Sequence, residues 1–336
     1  MPEEFGKTPE PSYIELYRSG KLKRRAGLLR DRLGSCDICP RHCGINRLTG
    51  EMGFCRTGRL ASVSSFCAHR GEEPAISSAR GSGTIFFANC NLRCVYCQNY
   101  QISQNYGHQP ENEVTPHVLA RQMLYLQDEL NCHNINLVSP SHVVPQIVES
   151  LVEAAHLGLH IPLIYNTSSY DGMASLQALD GIMDVYLADL RYADNTPALK
   201  YSQAPDYAVR AREAITEMYR QVGDLVLDSD GSARKGLIVR HLILPNGIAG
   251  SKESLTWLAE EVSSTVTVSI MAQYYPAYLA SGIPELTRTI TRQEYREVVE
   301  MVDTLGLENG WIQELASADN YKPDFKRRQH PFQPEQ

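Results

Sequence analysis

Three cysteines fall within eight residues of the chain. Cys90, Cys94 and Cys97 directly follow a short apolar run that predicts a strand over 84–88. Thiolate sulfur is the ligand that iron–sulfur clusters prefer, and a cubane of four irons held by only three cysteines keeps one iron free for another ligand. Because an open metal position is where chemistry takes place, the spacing predicts a reactive cluster.

A second group of cysteines lies upstream, at positions Cys36, Cys39, Cys43 and Cys55. Four thiolates close a coordination shell, as in a structural zinc site or an auxiliary 4Fe-4S cluster. The spacing of these cysteines does not distinguish a zinc site from a cluster. We expect a structural metal that stabilises a small, glycine-rich module, with an electron conduit or a substrate-docking cluster as the functional alternative.

The composition and charge of the chain limit the classes of protein to which it can belong. The 336 residues are 43% hydrophobic and 21% charged, which is ordinary for a globular protein. The net charge of −7 disfavours a nucleic-acid partner, and no apolar run approaches the length of a membrane span. The N-terminus does not resemble a secretory signal, and most of the nine cysteines are clustered as for metals. We therefore expect a cytoplasmic protein with no membrane contact.

The elements that position these cysteines follow a βα rhythm, which is typical of a parallel sheet. Strands are predicted near 84–88, 135–139, 161–166, 184–190, 236–244 and 266–273, with a possible short strand at 311–315. Helices are predicted over 12–33, 115–130, 142–157, 171–181, 206–222, 251–263 and 291–305. Six βα units are two short of a closed barrel, so we expect an α/β fold with a partial, open six-stranded (β/α)6 TIM-like barrel.

This organisation gives four segments: an N-terminal helical segment (1–33), a loop-like Cys-rich metal-binding module (34–80), the partial barrel (81–325) and a tail (326–336). Parallel sheets carry reactive groups at the carboxyl ends of their strands, where the three-cysteine loop lies. Glu72 and Glu73 precede the first predicted strand; they lie either at the mouth of the site or in a solvated linker.

The motif Cys90-x3-Cys94-x2-Cys97 resembles the cluster-binding signature of the radical S-adenosylmethionine (SAM) superfamily. The stretch 81–100, Cys36-x2-Cys39-Pro-Arg-x-Cys43 and the segment 69–74 resemble the pyruvate formate-lyase activating enzyme-like branch. The resemblance implies that the three cysteines hold a 4Fe-4S cluster whose fourth iron chelates SAM. It also implies cleavage of SAM to a 5′-deoxyadenosyl radical that abstracts hydrogen.

The same resemblance suggests the residues that contact SAM. Tyr96 matches the aromatic residue that contacts adenine. Where relatives carry a Gly-Gly-Glu-like stretch for the methionine amine, this chain has Ser139-Pro-Ser-His142, so Ser139 or Ser141 could replace it through hydroxyl or carbonyl oxygens. Ser141 could instead cap the next helix. Three further strand-end residues are candidates for ribose and carboxylate contacts: Asn166, Asp189 and His241.

The expected function is hydrogen abstraction from a protein or peptide, possibly as a glycyl-radical activase, with an electron donor such as flavodoxin or ferredoxin. Modification of a small molecule stays open as an alternative within the enzyme class. A non-catalytic iron–sulfur sensor that retains the fold is the alternative in another class.

Overall fold

The computed structural model describes residues 10–104, 110–319, 322–327 and 331–332. Its α-helices are α1 Ser12–Arg18, α2 Lys21–Asp31, α3 Pro74–Ser77, α4 Tyr100–Ser103, α5 Pro116–Asp128, α6 Val144–His156, α7 Met173–Leu179, α8 Asn195–Ser202, α9 Tyr207–Val222, α10 Ser251–Trp257 and α11 Arg292–Thr304. Helix α10 continues as a π-helical turn over Leu258–Val262. Each long helix predicted downstream of residue 110 is present.

One sheet runs through the molecule. Its strands are β1 Ala61–His69, β2 Ser82–Phe87, β3 Glu113–Val114, β4 Ile135–Val138, β5 Leu163–Thr167, β6 Val185–Asp189, β7 Val226–Leu227, β8 Ala233–Leu242, β9 Thr267–Met271 and β10 Gly310–Ile312. The order across the sheet is β10-β9-β8-β6-β5-β4-β2-β1-β3, with β7 paired to β8. Neighbours from β10 to β2 are parallel, whereas β1, β3 and β7 pair antiparallel. The fold is therefore α/β with a mixed, open sheet.

The parallel strands form because their residues are buried on both faces. Every residue of β2, β4 and β5 is buried, as near-continuous apolar runs covered by helices require. Thr115 caps α5 by accepting a hydrogen bond from the backbone of Val118, and Pro116 occupies the first turn. These local signals explain why the predicted βα rhythm matches the observed elements.

The sheet departs from the predicted six strands in two ways. In the described residues, seven strands are parallel, because the possible short strand predicted at 311–315 is present as β10 and pairs with β9. Strand β1 lies in a region predicted to be loop-like; three serines and a single β-branched residue, Val63, give it weak strand propensity. Antiparallel pairing with the fully buried β2, from Val63 opposite Phe87 to His69 opposite Ser82, outweighs that weakness.

The N-terminal segment is two helices rather than the single predicted one. Gly20 has a φ of 73° between α1 and α2, a left-handed conformation that ends one helix and that glycine adopts readily. The Asp184 carboxylate accepts hydrogen bonds from the backbone N–H of Ser12, at 2.9 Å, and of Leu163, at 3.0 Å. These bonds hold α1 at the amino ends of β5 and β6, opposite the carboxyl ends where the three-cysteine loop lies. No helix in the described part of the chain is both long and apolar enough to span a bilayer.

Candidate active site

The three-cysteine loop leaves the carboxyl end of β2 and is held by backbone hydrogen bonds to distant elements. The N–H groups of Arg93 and Val95 donate to the carbonyls of Ser202 and Tyr201 at 3.0 and 2.8 Å, and Leu279 donates to Val95 at 2.9 Å. The loop is thus fixed by the end of α8 and by the segment after β9. Rigid support of this kind keeps ligand side chains in place.

Each sulfur of the loop lies within hydrogen-bond distance of at least one polar group. The contacts are Leu92 N to Cys90 Sγ at 3.4 Å, Ser202 Oγ to Cys94 Sγ at 3.1 Å and Ser103 Oγ to Cys97 Sγ at 3.1 Å. Burial, followed by the nearby Cys94, raises the pKa of Cys90 to about 12 and also raises the pKa of Cys97. Three thiols that repel one another as thiolates are suited to a cation, which deprotonates the sulfurs that bind it.

Among the described residues, no group of three Cys, His, Asp or Glu side chains is arranged to hold a single metal ion. A cubane does not require that arrangement, because each cysteine binds a different iron and the sulfurs stand farther apart. The donor set of three thiols around one cavity fits such a cluster. Cys90, Cys94 and Cys97 are the residues that would hold it.

The cavity next to the loop measures about 290 Å³, and all three cysteines line it. Four of the predicted SAM-contact residues line the same cavity: Tyr96, Ser139, Asn166 and Asp189. The structure thus brings together polar groups from the carboxyl ends of β4, β5 and β6 with the cysteine loop. Ser139 has a φ of 57°, and its backbone N–H donates to the Asn166 carbonyl at 2.9 Å.

Two of the residues predicted to contact SAM, Ser141 and His241, do not line the cavity. Ser141 is buried and does not itself line the cavity; its hydroxyl is 3.1 Å from the hydroxyl of Thr167, which does. His241 is also buried; its Nδ1 is 2.8 Å from the Leu190 carbonyl and its Nε2 is 2.8 Å from the Ser251 hydroxyl. The scaffold occupies both side chains. On β8, His241 and the cavity-lining Arg240 point to opposite faces of the sheet, because successive residues of a strand do so.

Tyr96 is buried beside the cysteines and takes part in a chain of hydroxyl groups. Its hydroxyl donates to Tyr192 at 2.7 Å, and the Tyr192 hydroxyl is 2.8 Å from Ser202 Oγ, which in turn contacts Cys94. Burial raises the pKa of Tyr96, so the phenol stays neutral. The chain fixes the ring orientation at the wall of the cavity.

Three charged residues form another part of the cavity wall. Arg240 on β8 forms ion pairs with Glu72 and Glu73, which follow β1, and Asn136 on β4 donates to Glu72 at 2.9 Å. Burial alone would raise the pKa of Glu73, but the Arg240 guanidinium outweighs it and holds that pKa below its ordinary value. Both acids line the cavity, so they belong to the site and not to a solvated linker. They do not lie at its mouth, because antiparallel β1 ends with His69 opposite Ser82, at the amino end of β2.

The same ion pairs join elements that are far apart in the sheet. Strands β1 and β8 are five positions apart in the strand order. Because Glu72 and Glu73 follow β1 and contact Arg240 on β8, the segment after β1 reaches across the cavity from one part of the sheet to another.

Aromatic residues near the C-terminus lie against the same cavity. The ring of Phe332 lies 4.0 Å from the His69 ring, and Phe325 packs edge-on against Phe86 at 5.2 Å. Phe332 lines the cavity although it belongs to the stretch predicted to be a tail. Isolated aromatic residues after the last helix carry no periodic signal, which is why the sequence did not reveal this contact.

The upstream cysteines surround a separate, small cavity. Cys36, Cys39, Cys43 and Cys55 all line it, and all but Cys43 are buried. The Arg93 guanidinium joins this region to the three-cysteine loop, since it donates to the carbonyls of Phe54 and of Cys90. The two cysteine groups are neighbours that belong to one packed structure.

Sequence reasoning missed the arginines of the site. Arg191 pairs with Asp189, and Arg240 pairs with Glu72 and Glu73; both arginines line the cavity. Burial alone would lower the pKa of Arg240, but the two carboxylates raise it well above its ordinary value. Their position at the carboxyl ends of β6 and β8 was the available signal, because strand-end residues face the active-site rim.

No protein-family model matches the chain. The chain is 27% identical over 299 residues to an uncharacterized protein of Methanocaldococcus jannaschii, covering 88% of this chain and 82% of that protein. Among solved structures it is similar to methylornithine synthase (PylB), with a TM-score of 0.42 and 14% identity over 90% of this chain and 75% of that one. HydG, a maturase of the FeFe-hydrogenase, matches with a TM-score of 0.43 and 13% identity over 90% of this chain and 68% of that one. Similarity at these levels does not assign a family.

Proposed function

We propose that this protein is a radical SAM enzyme that abstracts hydrogen from a protein or peptide. The observation that carries the proposal is the placement of Cys90, Cys94 and Cys97, which lie on one loop at the carboxyl end of a parallel strand and line a cavity of about 290 Å³. Three protein ligands leave one iron of a cubane open, and the cavity gives a second ligand access to it.

The chain's own residues define what that cavity can hold. A bound 4Fe-4S cluster and SAM would supply a carbon radical capable of removing a hydrogen atom from an unactivated position. The protein's part is to bind and orient these groups. The oxygens of Ser139 and Asn166 suit an ammonium group, and the guanidinium of Arg191, paired with Asp189, suits a carboxylate.

Two aromatic residues contribute apolar surface to the remaining walls. Tyr96 presents a buried ring beside the cysteines, and Phe332 lies against His69 at the cavity. Water and oxygen quench reactive intermediates, so apolar walls would help to protect the reaction. Arg240 and its two glutamates form the charged wall against which a polar substrate group could be positioned.

The substrate we propose is a protein or peptide, as in a glycyl-radical activase of the pyruvate formate-lyase activating enzyme-like type. Flavodoxin or ferredoxin would supply the electron, in the cytoplasm. A small molecule is the second candidate substrate, because a cavity of about 290 Å³ lies at the lower limit of small-ligand pockets and Phe332 lies against one wall.

The experiment is an assay for SAM cleavage. Protein reconstituted anaerobically with iron and sulfide should convert SAM to 5′-deoxyadenosine and methionine when a strong reductant is added. The variant Cys94→Ser should form less than one hundredth as much product, because the cluster loses one of three ligands. An intact cluster in the native protein with no 5′-deoxyadenosine would refute the proposal.

A further inference from the structure

The upstream cavity has the donor set and the shape of a metal site. Its four cysteines come from one stretch of 20 residues, 36–55, and converge on a space of about 10 Å³. Gly53 leaves room for one of them: a Cβ at that position would lie 2.7 Å from Cys43 Sγ, closer than real contacts allow. The backbone is therefore shaped around the thiol.

A buried arginine borders the same cavity. Arg47 is 1% exposed and lines the cavity, with Nη1 at 3.8 Å from Cys36 Sγ. Its Nε donates to the Gly58 carbonyl at 3.0 Å and its Nη1 to the His142 carbonyl at 2.9 Å. In the described part of the chain, Nη2 is buried without a partner, and the contacts of this guanidinium are to two carbonyls and a sulfur and not to a carboxylate.

A buried charge without a counter-charge is strongly destabilising, and arginine does not lose its proton in proteins. Neutral carbonyls satisfy two of its nitrogens but do not neutralise it. Four thiolates around Zn²⁺, or around an oxidised 4Fe-4S core, carry more negative charge than the metal carries positive charge. Such a centre would supply the counter-charge that Arg47 lacks.

We propose that Cys36, Cys39, Cys43 and Cys55 bind a thiolate-coordinated metal centre and that Arg47 is its positioning and charge-compensating residue. No group of three ligands is arranged for a single ion in the described residues, so the sulfurs would have to close around a zinc ion, whereas a cluster does not require that movement. Binding of this kind contributes directly to folding free energy. The occupant is either zinc or an iron–sulfur cluster, since both take four thiolates.

The first measurement removes the three-cysteine site, so that its result does not depend on the proposed enzymatic function. In the variant Cys90→Ala/Cys94→Ala/Cys97→Ala, purified anaerobically, zinc, iron and sulfide are counted per chain. About one zinc, or about four irons with four sulfides, supports the proposal and identifies the occupant. A folded, metal-free chain whose four upstream thiols react with a thiol reagent would overturn it.

The second measurement tests Arg47 itself, in a protein that keeps Cys90, Cys94 and Cys97. Arg47→Met keeps an unbranched side chain but removes the charge, and we expect a chelator to strip the upstream metal on the order of 10-fold or more faster than from the native protein. Arg18→Met is the matched control, because Arg18 is exposed and paired with Glu10. Equal metal loss from the Arg47 and Arg18 variants would contradict the role of Arg47.

Discussion

The two cysteine groups differ in what surrounds the sulfurs. The three-cysteine loop borders a cavity of about 290 Å³, and its sulfurs contact neutral hydroxyl and N–H groups. The upstream group surrounds about 10 Å³ and faces the buried guanidinium of Arg47. Three cysteines beside an open space suit a cluster that binds an exchangeable further ligand. Four cysteines beside a fixed counter-charge suit a permanently bound metal.

The two regions are nonetheless one packed unit. Phe54 lies between two guanidinium groups, with Arg41 at 3.7 Å and Arg93 at 4.5 Å from its ring centre. Arg41 donates to the Asn91 carbonyl at 2.9 Å, next to Cys90. The difference between the regions therefore arises from their immediate surroundings and not from separate domains.

The largest expected effect on stability is a pH-dependent loss that arises at His241, a buried residue of β8. Burial lowers the pKa of His241 to about 4, against 6.5 for an ordinary histidine, so the folded state binds fewer protons between these values. This contribution is complete above about pH 6.5 and is lost as the pH falls toward 4. Lowering the pH from about 7.5 to 5 should remove roughly 2 kcal/mol of the His241 contribution to the free energy of unfolding, in addition to the loss from His142, whose pKa burial lowers to about 3.

The measurement is urea denaturation at both pH values for the native protein and for His241→Gln. A glutamine can still donate to the Leu190 carbonyl and accept from Ser251, but it does not titrate. The variant should lose about 2 kcal/mol less on acidification than the native protein. An identical loss in both proteins would show that His241 does not carry this pH dependence.

A smaller expected effect, on the reduction potential of the three-cysteine cluster, distinguishes the two cysteine regions. Ser202→Ala removes the hydroxyl that donates to Cys94 Sγ, a bond worth about 1 kcal/mol. Because hydrogen bonds to sulfur favour the reduced cluster, its one-electron potential should become about 40 mV more negative. Redox titration followed by electron paramagnetic resonance (EPR) measures the shift.

Ser175→Ala is the matched control for this shift. Ser175 donates to the Ile38 carbonyl at 2.7 Å, in the upstream region, and so its loss should leave the potential of the three-cysteine cluster unchanged. A shift of equal size in both variants would mean that general loosening, and not the bond to sulfur, sets the potential.

Much of this arrangement could be predicted from the sequence because it depends on local signals. The βα rhythm, the Thr115 cap and the cysteine spacing are each readable within a few residues, and strand ends identify the rim on which Asn166 and Asp189 lie. His241 shows the limit of that reasoning, because the orientation of a strand-end side chain depends on register.

The remaining features depend on contacts between distant residues. Strand β1 forms only because β2 offers a buried partner, and Arg240 meets Glu72 across 168 positions of sequence. Arg47 gave no signal of its own, since an arginine in a loop is normally solvated and its burial follows from tertiary packing. The proposed charge compensation by Arg47 could therefore be inferred only from the folded structure.

The most direct test of the central claim is the EPR spectrum of the reduced protein with and without SAM. The account predicts that SAM changes the signal of the cluster held by Cys90, Cys94 and Cys97, because it binds the iron that lacks a protein ligand. In Cys94→Ser that response should disappear. A reduced three-cysteine cluster whose spectrum is identical with and without saturating SAM would contradict the account.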